Sequence, residues 1–109
     1  MSEDKPKPVM RKMSSVDGTD VRLWYACPGC HDIHCVRIKG QTPEHVVWDW
    51  NGSLVKPTIT PSILVNMYNP DRICHSFITD GNIKFLEDCY HELKGTIVPL
   101  EPFFLEEWC

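Results

Sequence analysis

No run of the 109 residues is long and apolar enough to cross a bilayer, and Met1 leads into SEDKPKPVMRKMSS rather than into an apolar signal core. The chain therefore reads as cytoplasmic, with no membrane partner. In that compartment thiols stay reduced, and grouped cysteines hold metal more often than they pair as disulfides.

An excess of positive charge is missing too. Residues 21 to 109 hold seven Lys/Arg against eleven Asp/Glu, while the first twenty balance four against four, so the net charge of -4 lies entirely in the later segment. Four thiolates around one dication would add roughly two more negative charges. Non-specific duplex binding needs the opposite sign, so a nucleic-acid partner is not expected. The sequence also lacks a GxSxG elbow, an HExxH helix, a P-loop and a dinucleotide fingerprint. No His-x-Glu precedes the PGC pair, as a zinc deaminase would require. Internal repeats and low-complexity segments are likewise absent.

What is present is a small core and six cysteines. A hydrophobic content of 42% with 10% aromatics supports one domain, and a metal staple would help so short a chain. Residues 1–20, rich in Pro, Lys, Ser and Asp, read as a flexible tail. Residues 21–109 read as a single zinc-stabilised, β-rich (α+β) domain. Its parts are a zinc-ribbon-like knuckle, several hairpins and one short helix.

The knuckle is Cys27-Pro28-Gly29-Cys30, a tight turn on which two thiolates can face one ion. Gly29 is expected to let the backbone turn while local amides bond the thiolates. Leu23 to Ala26 leads in, and Ile33 to Ile38 leads out with alternating character. The stretch 45–50 is β-prone and stops at Asn51-Gly52, a hairpin-turn dipeptide. Prolines 57 and 61 make Lys56 to Ser62 an extended edge segment that cannot sit inside a sheet, with a regular strand from Ile63 to Met67. Asp80-Gly81 between Ile73–Thr79 and Asn82–Leu86 is the clearest hairpin, because Asp-Gly supplies the positive φ angles of a type I′ turn. Asp88 caps a short helix running to Lys94 and closed by Gly95. Thr96 to Leu100 adds a last strand, and Phe103-Phe104-Leu105 packs on the core.

Cys27, Cys30, Cys74 and Cys89 complete a closed tetrahedral zinc site in this reading. Cys89 stands at the proposed helix start, where a thiolate is favoured. His34, His75 and His91 each lie close enough in sequence to a candidate cysteine to replace Cys89. Cys35, alternating in a strand, and Cys109, at the chain end, are not expected to ligate. Ser62, Ser76, His75 and His91 are candidates for catalysis, since a hydroxyl reacts only with a base beside it. In an extended strand His75 points away from Cys74, whereas Ser76 shares the Cys74 face. Trp48 and Trp50 read as core rather than as a stacking platform.

The set CPGC, WDWNGS, KPTITPSI and ICHSFITDG, followed by IKFL, the Asp88-Cys89 pair and His91, resembles a family of small proteins common in tailed-phage and prophage genomes. That family has no assigned role and is often mislabelled ammonia monooxygenase. The resemblance covers roughly residues 23–100. It implies a bacterial host, with Cys27, Cys30 and Cys74 as metal ligands and Ser62, His75 and Ser76 as further candidates. Its members carry glycine after CPGC, where this chain has His31. More distant relatives resemble genes beside bacterial ubiquitin-like conjugation systems that are regarded as peptidases. They carry Cys-x-Ser-His where this chain reads Cys74-His75-Ser76-Phe77. Two functions follow. One is a protein-interaction module, held together by inert zinc, acting on a host or phage protein. The alternative is a small hydrolase or peptidase, with ubiquitin-like conjugates among its substrates, that uses Ser/His or a zinc-bound water.

Overall fold

Short β-branched and aromatic runs separated by turn residues build two antiparallel sheets. The computed structural model describes residues 7–40, 46–66 and 68–102. Its strands are β1 (Arg11–Ser14), β2 (Val21–Cys27), β3 (Asp32–Lys39), β4 (Asp49–Trp50), β5 (Ile59–Val65), β6 (Cys74–Thr79), β7 (Asn82–Phe85) and β8 (Ile97–Pro99). The first three form one sheet in chain order and the other five a second, also in chain order. Among the described residues no helix is long and apolar enough to cross a membrane.

In the first sheet β2 is central. Leu23 and Tyr25 are fully buried, and β3 contributes Val36 from the opposite pairing position. His34, Val36 and Ile38 face inward, while Cys35 is exposed, as the alternation of the segment requires. Ile59, Ile63, Ile78, Ile83 and Phe85 of the second sheet join these side chains in one core. Trp48 and Trp50 pack against its margin, in agreement with their core reading.

The hairpin β6–β7 follows the Asp-Gly rule. Asp80 and Gly81 have φ of 54° and 85°, Thr79 pairs with Asn82 and Ser76 with Phe85. Its tight turn fixes which residue of β7 faces which residue of β6, and the register continues past the strand: the Leu86 amide donates to the His75 carbonyl at 2.9 Å.

Four expectations are corrected. First, Lys56–Ser62 is not an edge segment. Residues from Ile59 lie in β5 between β4 and β6, and Pro61 is tolerated because the register shifts between Ile59 and Ile63. A proline inside a sheet belongs at such an irregularity, where no ladder donor is missed. Second, Asn51-Gly52 does not close a two-residue hairpin. The Asn51 side chain accepts from the Ser53 amide and donates to the Lys56 carbonyl, holding a longer loop from 51 to 58. Third, the helix expected from Asp88 to Lys94 is a series of turns, bonded Cys89 to Leu86, Lys94 to His91 and Thr96 to Leu93. Fourth, the last part of the supposed tail is ordered. Val9 and Met10 are buried, their amides donate to the Leu54 carbonyl, and β1 pairs with β2. Phe103 to Leu105, expected on the core, and Cys109 lie outside the described residues.

Candidate functional site

The knuckle between β2 and β3 presents Cys27 and Cys30 inward, with the Cys30 amide donating to the Cys27 sulfur at 3.4 Å. Cys74 opens β6 on the inner face, and His91 enters from the turns that follow β7. One ligand atom from each of Cys27, Cys30, Cys74 and His91 lies within 4.8 Å of every other, and all four residues are buried. A tetrahedral ion with bonds of about 2.3 Å to sulfur and about 2.0 Å to nitrogen needs edges of about 3.8 Å and about 3.6 Å. Cys27 and Cys74 sulfurs are 3.9 Å apart, and Cys74 Sγ stands 3.5 Å from His91 Nε2. The residues present therefore fit a metal ion.

Electrostatics supports the same conclusion. Contact with Cys74 holds the Cys27 thiol down to about 4, and the same contact together with burial drives Cys74 far up. Burial, then the charge of Cys27, raises Cys30. Thiolate charge is thus favoured on one of three converging sulfurs and opposed on the other two, and a dication in the centre would stabilise all three thiolates. Burial lowers His91, favouring the neutral imidazole that can ligate.

Gly29 makes room for this ring. A Cβ built on Gly29 would fall on the His91 imidazole, overlapping Cε1, Nε2 and Nδ1. Its φ is not among the positive ones, so the glycine serves close approach and not the turn expected of it. The positive φ of the knuckle belongs to His31, at 56°.

Cys89 is not in the cluster, which corrects the four-cysteine expectation. It is buried in the same core, against the main chain of β6. Its sulfur accepts from the His75 amide at 3.2 Å and its thiol donates to the His75 carbonyl at 3.1 Å. A thiol spent on both main-chain groups of one residue is not placed to ligate. Its place is taken by His91, one of the three histidine alternatives. His34 is buried edge-on to Tyr25 at 5.7 Å between ring centroids and stays outside the cluster.

On the outer face of the second sheet a different group assembles. Leu64 pairs with His75, and Ser62, in the irregular part of β5 two residues earlier, reaches the His75 ring on that side. His75 Nε2 lies 3.0 Å from Ser62 Oγ, and His75 Nδ1 lies 3.1 Å from Asp88 Oδ2. The three are partly exposed, open to an incoming molecule. The Trp48 indole donates to the Ser62 carbonyl at 3.1 Å, bracing the irregular part of β5 from which the serine projects. Farther along the same face, Phe77, Thr79, Asp80, Asn82, Lys84 and Ile97 line an open groove of about 400 Å³. A larger cavity beside β1, lined by Met10, Leu54 and Lys12 among others, holds none of these residues.

Of the catalytic candidates, the structure joins Ser62 and His75 and separates the others. Ser76 is fully buried on the inner face and cannot meet a substrate, while His91 belongs to the Cys/His cluster. Two residues were missed: Asp88, read as a helix cap, and Trp48, read only as core. For Asp88 the signal was the Asp80-Gly81 turn, whose register brings the chain after β7 back beside His75.

Fold and site together define a small β-rich domain with a Cys/His cluster between its sheets and a Ser-His-Asp row on the surface of one. Residues 1–86 match the family model of the bacterial ubiquitination-like system serine protease (BubE), and the chain belongs to that family. The match falls on the ubiquitin-like-system side of the resemblance. It contains Cys27, Cys30, Ser62, Cys74 and His75 but ends before Asp88 and His91. No curated protein and no solved structure matches the chain.

Proposed function

We propose that this chain is a serine hydrolase of peptide or isopeptide bonds, with the conjugates or precursors of a ubiquitin-like protein as substrates. The observation that carries the reading is the pair of contacts at His75, 3.0 Å to Ser62 and 3.1 Å to Asp88. The family description, a serine protease of a bacterial ubiquitination-like system, supports that choice of substrate class. An interaction module has no need of such a row.

His75 Nε2 takes the proton of Ser62 as Oγ bonds to the scissile carbonyl carbon. The proton then passes to the leaving amine as the C–N bond breaks, leaving an acyl-serine that water hydrolyses by the same route. Asp88 accepts from Nδ1–H, fixing the tautomer that leaves Nε2 free, and stabilises the imidazolium that forms. The outer-face groove gives room for the chain on one side of the scissile bond.

Cys27, Cys30, Cys74 and His91 would hold a zinc ion, with three sulfurs and one nitrogen filling its four positions. A closed site of this kind contributes folding energy rather than a reactive water. That argues against the zinc-water form of the hydrolase reading.

The test is a fluorophosphonate probe on the metal-loaded chain, with the modified residue located by mass spectrometry. Ser62 is the expected adduct, absent in Ser62→Ala. Asp88→Asn is expected to lower kcat on a ubiquitin-like protein carrying a C-terminal amide reporter by a factor on the order of 10⁴. Labelling that persists in Ser62→Ala, or fails in the wild type, overturns the proposal.

A further inference from the structure

The Cys/His cluster and the Ser-His-Asp row use the same two segments of chain, from opposite sides. In β6, Cys74 faces the cluster and its neighbour His75 faces the serine. After β7, Asp88 meets His75 on the surface and His91 returns to the cluster three residues later. The turn between them is laced to the start of β6. Leu86 donates to the His75 carbonyl at 2.9 Å, Tyr90 donates to the Ile73 carbonyl at 2.9 Å, and Cys89 bonds both the amide and the carbonyl of His75. Phe85 and Tyr90 hold the His91 ring edge-on at 4.5 and 5.2 Å between centroids.

We propose that Cys89 and the ligand His91 are positioning residues for the Ser62–His75–Asp88 row. His91, seated in the metal cluster, anchors the far end of the 86–91 turn, and the Cys89 thiol locks its middle to the main chain of His75. Together they set the distance between the Asp88 carboxylate and the His75 ring. Neither side chain touches a substrate.

The physical reason is the exposure of Asp88. Its side chain is 56% accessible and its contact with His75 is a surface contact, weak by itself against the motion of a turn. Nothing regular holds residues 86–96, since no helix or strand spans them before β8. The order of the turn comes from its tethers, and beside the two main-chain bonds two buried side chains supply them: one thiol with two main-chain partners and one ring in the cluster. A misplacement of about 1 Å in such a site costs roughly two powers of ten in rate.

This inference rests on the hydrolase reading for its effect on rate, but its structural half is measured separately. The readout is the low-field proton of His75 Nδ1–H, observed by NMR in the metal-loaded full chain with ¹⁵N-labelled histidine. Cys89→Ala is expected to keep its metal and its fold, lose that resonance, and lower kcat about 10- to 100-fold with KM within about twofold. Cys89→Ser, whose hydroxyl can also donate and accept, is expected to restore part of both. His91→Ala, with three sulfurs still holding the ion, is expected to lose the resonance as well. If His91→Ala does not fold, the Cys89 pair decides. A resonance that survives in Cys89→Ala, or is lost equally in Cys89→Ala and Cys89→Ser, overturns the proposal. Failure of the fluorophosphonate to label wild-type Ser62 would sink the hydrolase reading alone, because the resonance reports the Asp88–His75 contact whether or not the serine reacts.

Discussion

Replacing Gly29 by alanine adds one methyl group at a place where the structure has none to spare. The new carbon would coincide with the His91 imidazole, and the ring cannot slide aside because Phe85 and Tyr90 hold its other faces. The φ of residue 29 is not a positive one, so the clash and not a left-handed backbone is what opposes alanine there. The expected result is loss of the nitrogen ligand from an otherwise intact knuckle. Structural zinc is bound with about 10–16 kcal/mol in four-ligand sites, so one ligand of four is worth roughly 2.5–4 kcal/mol. That predicts a dissociation constant weaker by roughly two to three powers of ten. A competition titration against a chromophoric zinc chelator measures it, and the visible spectrum of the cobalt-substituted chain reports whether nitrogen remains bound. An affinity within threefold of wild type, with an unchanged cobalt spectrum, would refute the reasoning.

Two further perturbations separate the roles of neighbouring residues. Cys27→Ser should unfold the domain while His75→Ala leaves it folded, as followed by circular dichroism; a stable, native-like Cys27→Ser protein would remove the structural-metal claim. Ser76→Ala should change stability by no more than about 1 kcal/mol, because the buried Ser76 hydroxyl makes no hydrogen bond of ordinary length among the described residues and only a weaker contact with the Tyr25 hydroxyl. Thermal denaturation checks this, and a loss well beyond that size would show that the hydroxyl is satisfied after all.

The parts of this molecule that sequence could reveal are those governed by short periods or by rigid turns. The period of two in β6 correctly separates Cys74 and Ser76 from His75, and the Asp-Gly dipeptide correctly sets the hairpin that follows. The knuckle was legible for the same reason, being a local motif. Residues 86–96 were not, because their turns obey no period: Asp88 looked like a helix cap, and Cys89 competed with three histidines for the fourth ligand position. Only the tertiary path of that segment shows that Cys89 bonds the main chain of His75 while His91 reaches the cluster. Pro61 misled in a different way. Its missing donor excludes it from a regular ladder, and β5 admits it by being irregular where Ser62 projects.

The alternation of β6 also bears on how this domain tolerates changes in length. Inserting or deleting one residue between Ile73 and Phe77 would turn the sulfur of Cys74 toward solvent and the ring of His75 toward the core, destroying metal cluster and surface row in one event. Natural variation in length should therefore spare β6, so the two sites are inherited together or lost together.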